Sequence, residues 1–261
     1  MKLITIIFLA TLYILTGCSG NKLEEKGFAV SPSSEGDEEN RKDGISNDSL
    51  TLQTRPSNVL LTGNPRYRLA TIYKVNYKIN YGGDSVTFIG SNDFHYLHRE
   101  ASDGNQWNYN LMPGLASVYG YNLVNISHYD TETQTQSKFF QKPVLIKTLY
   151  YPSFSKDTLN YKPVNRNYFM ISVYDEDTNK DGYINIRDLR RFYSFDIHAQ
   201  NKKALVPPNY SVMKSEYDPA NDFMYVFAQL DSNANGQNDD NELIHVFWID
   251  LKNPDRVGRQ Y

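Results

Sequence analysis

Two stretches of this chain, FMISVYDEDTNKDGYINIRDLRRFYSFDI from Phe169 and FMYVFAQLDSNANGQNDDNELIHVFWIDL from Phe223, align without a gap at an offset of 54 residues. Phe169 and Met170 match Phe223 and Met224, Asp177 matches Asp231, Asn179 matches Asn233, Gly182 matches Gly236, Leu189 matches Leu243, and Asp196 matches Asp250. A repeat of this length constrains the fold strongly, because one supersecondary unit has to be built twice. The exit segment ELIHVFWIDL of the second copy is β-branched and aromatic, which predicts a strand. It pulls the ambiguous IRDLRRFYSFDI (Ile186 to Ile197) of the first copy toward strand as well. Each unit, 169–197 and 223–251, therefore reads as strand, acidic loop, strand.

The loops carry the chemistry. Asp177, Asn179 and Asp181 are followed by Gly182, Tyr183, Asn185 and Asp188; Asp231, Asn233 and Asn235 are followed by Gly236, Gln237, Asp239 and Glu242. Both stretches resemble the twelve-residue calcium loop of the EF-hand family. That loop places oxygen ligands at positions 1, 3 and 5, a glycine at 6, a backbone carbonyl at 7, a polar residue at 9 and a carboxylate at 12. The resemblance implies two Ca2+ sites. One would be formed by Asp177, Asn179, Asp181, the Tyr183 carbonyl, Asn185 and Asp188, the other by Asp231, Asn233, Asn235, the Gln237 carbonyl, Asp239 and Glu242. Glu242 is long enough to chelate with both oxygens, whereas Asp188 is one methylene short. Asn238 stands where the family has an aliphatic residue. The entering segments YFMISVY and DFMYVFAQ alternate as strands, and the 54-residue offset argues against a closely paired helix-loop-helix sensor and against paired loops of the dockerin kind. The likeness thus covers two loops and no EF-hand domain. The alternative is a pair of ion-free polar turns, since turns favour Asp, Asn and Gly in any case. Three carboxylates in each shell (Asp177, Asp181, Asp188; Asp231, Asp239, Glu242) would repel one another without a cation.

The rest of the body follows the same grammar. Short aromatic and β-branched runs such as RYRLATIYKVNYKI, YNLVNISHYD and KPVLIKTLYY are separated by Gly, Asn, Asp and Pro, and no stretch of twelve residues keeps a clean helical stripe. This predicts an all-β fold of antiparallel strands. Glu216-Tyr217-Asp218-Pro219-Ala220-Asn221-Asp222, with the strands after it and the closing Asp250, resembles the blade repeat of TolB-like β-propellers, although Asn221-Asp222 replaces the usual Asp-Gly. Val124 to Thr133 reads as an earlier version of the final strand and turn, without the loop. At about 50 residues per blade the body holds four units, the lower limit for closure. A closed four-bladed ring and a partial propeller or curved stack of antiparallel blades both remain open.

The N-terminus predicts where the protein goes. Lys2 precedes an apolar run from Leu3 to Leu15, too short to span a bilayer, which reads as the core of an export signal over residues 1–17. Leu15-Thr16-Gly17-Cys18-Ser19 closely resembles a bacterial lipoprotein signal. The resemblance implies cleavage before Cys18, lipidation of its sulfur and acylation of the new α-amine, and several acyl chains suffice for stable anchoring. Membrane attachment through Cys18 would place the protein in the bacterial cell envelope. Ser19 in place of Asp resembles signals that permit transfer to the outer membrane, with either face left open. Residues 18–58 are rich in Gly, Ser, Asn, Asp and Glu and read as a disordered, lipid-anchored tether, ahead of a globular domain at 59–261.

Charge and chemistry narrow the function. Lys plus Arg number 27 against 30 Asp plus Glu, a net charge of −3, so nucleic acid is not expected as a partner. Cys18 is the single cysteine, which excludes an intrachain disulfide and a thiolate zinc site. There is no Gly-x-Ser-x-Gly elbow, phosphate-binding glycine loop or His-Glu-x-x-His. His95 and His98 lie three apart, which in a strand sends them to opposite faces. The tyrosines sit in alternating runs that suit core and sheet packing, and Trp107, in a polar stretch, is the candidate for an exposed contact. The reading is a calcium-binding, noncatalytic envelope lipoprotein, an interaction or structural module for an envelope protein or a glycan. The alternative is a glycan-active hydrolase on a calcium-stabilised β-fold.

Overall fold

The computed structural model describes residues 27–30, 54–75 and 112–261. The signal at 1–17, Cys18, His95, His98 and Trp107 lie outside the described residues. The chain enters as β1 (Phe28–Ala29) and then forms a meander of β2 (Thr54–Leu61), β3 (Tyr67–Lys74), β4 (Leu115–Asp130) and β5 (Thr135–Lys138). A second meander starts at β6 (Leu145–Pro152), passes the small hairpin of β7 (Thr158–Leu159) and β8 (Lys162–Pro163), and continues as β9 (Tyr168–Tyr174). Across the short β10 (Tyr183–Ile184) it reaches β11 (Arg191–Asp196) and β12 (Lys203–Ala204). The third is β13 (Tyr210–Asp218), β14 (Phe223–Leu230), β15 (Ile244–Asp250) and β16 (Val257–Arg259). The fold is all-β and antiparallel, with no helix among the described residues.

These meanders do not close into a propeller. β4 pairs with β6, so the first two merge edge to edge into one eight-stranded sheet, and the third forms a separate four-stranded sheet. The merger has a local cause. In β4 the register against β6 shifts between Tyr119 and Leu123, with Asn122 in the left-handed region at φ 54°. A bulge of this kind bends the strand and sharpens its twist. One half of β4 can then serve β6 while the other serves β3 and β5.

Alternation places the cores. Phe169, Ile171 and Val173 of β9 enter one apolar cluster with Leu69, Ile126 and Phe195. Tyr168 and Met170, on the opposite face, enter a second with Phe192, Val226 and Ile249, which fills the space between the two large sheets. Every residue of β9 is consequently buried, whereas β14 alternates between buried and half-buried. Each fully buried apolar side chain contributes about 1.5–3 kcal/mol. Tyr73, Tyr151, Tyr168, Tyr210 and Tyr217 are among the buried residues, in keeping with a packing role for the tyrosines.

A buried ion pair joins the two sheets. Arg166, just before β9, holds Asp222 at 2.7 Å, with both side chains only 3% exposed, and its Nε donates to the Pro113 carbonyl. Asp222 occupies the turn position where the propeller-like motif has glycine, and it adopts φ 60°. Aspartate tolerates that conformation better than most residues, and here Arg166 and the Tyr217 hydroxyl hold its carboxylate.

Three turns share one device. Asp130, Asp196 and Asp250 end β4, β11 and β15, and each side chain accepts from the backbone N–H two residues on, at Glu132, His198 and Lys252. The reading of 124–133 as a loopless copy of the repeat's closing turn therefore has a structural counterpart. The segment 18–58 departs from a plain tether at two places: β2 begins at Thr54, and residues 27–30 lie against the body as β1. Phe28 explains the second departure, since it is the one aromatic residue of a largely polar stretch and is buried with Val124 and Tyr174.

Candidate metal centre

The two acidic loops each connect strands of one hairpin. β9 leads into residues 177–188 and β11 leaves, paired from Val173 with Arg191 to Tyr168 with Asp196. β14 leads into 231–242 and β15 leaves, paired from Gln229 with Ile244. The repeat is thus a repeat of structure, with a one-residue difference in pairing: Phe169 faces Phe195, whereas its counterpart Phe223 faces Asp250.

Within the loops the hydrogen bonds coincide position by position. The first aspartate, Asp177 or Asp231, accepts from the N–H of the fifth residue at 3.0 Å in both loops, and its other oxygen accepts from the glycine N–H. Asn179 and Asn233 also accept from the fifth N–H through Oδ1, and Asp181 and Asn235 accept from the seventh, at Tyr183 and Gln237. The last carboxylate accepts from the second N–H at 2.8 Å in each case, Asp188 from Thr178 and Glu242 from Ser232. The backbone agrees too. Lys180 and Ala234 at position 4 have φ 58° and 57°, and Gly182 and Gly236 at position 6 have φ 86° and 74°. Two stretches with different residues at nine of their twelve positions have reached one conformation because the Asp, Asn and Gly positions dictate it.

The loops differ at their last ligand. Asp188 is fully buried, and its oxygens accept from the N–H groups of Thr178, Asn179 and Asn185, so the short side chain caps its own loop. Burial pushes its carboxyl above the usual aspartate value, against the opposing pull of those N–H donors. Glu242 reaches further: Oε1 takes the Ser232 N–H and hydroxyl, while Oε2 is buried with no hydrogen-bond partner. A buried carboxylate oxygen without a partner is costly unless a cation or donor meets it. Asp239 is approached by the side-chain amides of Asn233 and Asn235, whose N–H groups take the part of a positive partner. Among the described residues no three His, Cys, Asp or Glu side chains converge on one point. Calcium also accepts amide and backbone oxygens, which is what Asn179, Asn185, Asn233, Asn235 and the Tyr183 and Gln237 carbonyls supply. The donor set fits a hard cation, and fits it better in the second loop.

The sequence offset did not reveal that the loops touch. Thr178 donates through Oγ1 to the Gly236 carbonyl at 2.6 Å, and Asp188 and Gln237 form an isolated antiparallel bridge. A Cβ on Gly236 would run into the Thr178 carbonyl, so glycine is needed there for close approach as well as for its dihedral. No helices flank the loops, and their contacts join positions 2 and 12 of the first to positions 6 and 7 of the second. Position 8 is used differently. Ile184 of the first loop is buried and pairs with Phe28, whereas Asn238 of the second is exposed. No family model and no curated protein matches this chain.

Proposed function

We propose that this protein is a calcium-binding, noncatalytic lipoprotein of the bacterial cell envelope, anchored through lipidated Cys18, in which two ions clamp two β-hairpins. The observation that carries the reading is the unpartnered, buried Oε2 of Glu242 at the twelfth position of a loop that repeats its neighbour's hydrogen bonds position by position. An ion there neutralises carboxylates gathered in a tight turn and leaves the exposed faces of the sheets for an envelope protein or a glycan. The propeller-like reading is supported by the four-stranded antiparallel meander of β13 to β16, as one blade of a partial, unclosed stack. The lipid anchor rests on the Leu15-Thr16-Gly17-Cys18 signal, and the outer membrane on Ser19 in place of Asp after the cysteine.

Calorimetry on the purified protein in detergent is expected to show two bound calcium ions, with Asp177→Ala and Asp231→Ala each removing the site it belongs to. No heat of calcium binding, together with an unchanged melt in chelator, would leave the loops as polar turns. Cys18→Ser should shift the protein from the detergent phase to the aqueous phase; equal partitioning of both forms would remove the anchor.

A further inference from the structure

β1 lies on the first calcium loop. Phe28 pairs with Ile184 and Ala29 with Tyr183 in antiparallel register, and Val30 donates its N–H to the Gly182 carbonyl at 2.9 Å. In such a ladder hydrogen-bonded and non-hydrogen-bonded pairs alternate. Val30–Gly182 and Phe28–Ile184 therefore occupy the bonded positions, with the Gly182 N–H turned instead to Asp177, and the Tyr183 N–H and carbonyl point away from β1. The Tyr183 N–H indeed meets Asp181 inside the loop. The backbone carbonyl at loop position 7, a calcium ligand in loops of this kind, is thus left free by the docked strand.

The contact is built on both sides. Phe28 is 3% exposed, between Val124, Leu145, Tyr174 and Ile184. Gly27 has φ 50°, a Cβ on it would strike the Ile184 carbonyl, and its own carbonyl accepts from Lys74 Nζ at 3.0 Å. The edge of residues 182–184 accepts an extended segment consisting of a glycine, a large apolar residue and a small one. This is strand addition, in which main-chain bonds give affinity and one side-chain pocket gives specificity.

We propose that this edge is a peptide-binding site occupied in cis by residues 27–30, and that an ion in the first loop strengthens the docking by fixing the backbone at 182–184. The control by calcium rests on the function proposed above. Docking also sets how far the body can stand from its anchor. Gly27 lies nine positions after Cys18, a contour of at most about 30 Å, whereas the 36 positions from Cys18 to Thr54 correspond to a contour of at most about 120–130 Å. Calcium would then hold the folded body close to the membrane, and its loss would release the longer reach. Linkage is reciprocal: docking must raise calcium affinity by the same factor that calcium raises docking.

The test uses the full-length protein in detergent, with calcium or chelator as the only variable and two readouts. Hydrogen exchange of peptides covering 27–30 and 182–184 should be at least about fivefold slower in calcium. Gly27→Val, which alters no loop ligand, should abolish that protection and weaken one of the two calorimetric calcium sites by a similar factor. If calcium binds at two sites while exchange at 27–30 is the same with and without it, and Gly27→Val binds calcium like wild type, the coupling is overturned and the calcium reading stands. Absence of any calcium heat overturns both. Protection that grows with protein concentration would assign the strand to a second copy and overturn docking in cis.

Discussion

Asp188, the last residue of the first loop, is bridged through its backbone to Gln237, the seventh residue of the second. Gln237 also contributes the carbonyl expected to bind the second ion, so ordering one loop restrains the backbone of the other. The two sites are therefore expected to be coupled. In Asp231→Ala the first site should survive but bind calcium several-fold more weakly than in wild type, by analogy with usual coupling factors of about 5-fold or more. Calorimetric titration of the single variants measures this directly, and an unchanged first site would show that the bridge transmits nothing.

The Arg166–Asp222 pair offers a test of how the sheets are held together. Both groups are buried, and Arg166 also bonds the Pro113 and Leu251 carbonyls, so it spans the seam between the eight-stranded and four-stranded sheets. Asp222→Asn keeps the residue's tolerance for its φ of 60° but leaves a buried guanidinium without its counter-charge. Breaking one partner of a buried pair typically costs about 3–5 kcal/mol. Urea unfolding should show a loss of that order, and Arg166→Met combined with Asp222→Asn should cost less than the sum of the single changes.

Much of this was legible in the sequence. Alternation in YFMISVY and DFMYVFAQ marks β9 and β14, and the Asp, Asn and Gly spacing marks two loops of one conformation, because both signals are local. The meeting of the loops was not legible, since it depends on two equivalent hairpins packing with their loop ends together around the cluster of Met170, Phe192, Val226 and Ile249. Phe28 carried a faint signal, an apolar residue in a polar stretch, but its partner Ile184 is 156 residues away. Propeller closure failed for a comparable reason. The bulge at Tyr119 to Leu123, which lets β4 pair with β6, is written in Gly120 and Asn122, but nothing local says which strand it will meet.

His128 gives the fold a pH dependence near neutrality. The ring is buried against Tyr67, Phe139 and Phe169, and Nε2 donates to the Ile197 carbonyl at 3.0 Å. Burial lowers its pKa from the ordinary histidine value, outweighing the Ile197 carbonyl and the nearby Asp130, while His198 adds to the lowering. The unfolded chain takes up a proton near pH 6.5, whereas the folded one resists. Stability from neutral His128 is therefore present above about pH 6.5 and lost as pH falls through the lowered folded value. Thermal melts between pH 7 and pH 5 should decline in wild type, and the decline should be shallower in His128→Gln.

Glu242 provides a prediction whose sign depends on the ion. Without calcium its Oε2 is a buried carboxylate oxygen with no hydrogen-bond partner. Glu242→Gln removes that charge and keeps an oxygen for the Ser232 N–H, so in chelator the variant should melt no lower than wild type, and higher if the burial penalty dominates. In calcium the order should reverse, because the amide cannot bind the ion through two anionic oxygens. Extracellular sites of this kind bind at about 10⁻⁴ to 10⁻³ M. At a free ion concentration ten times the dissociation constant, occupancy stabilises the fold by about 1.4 kcal/mol, and the variant should forfeit most of it. Paired melts in calcium and in chelator read both halves. A variant that melts below wild type by the same margin in each condition would mean that Glu242 acts only as the cap of Ser232.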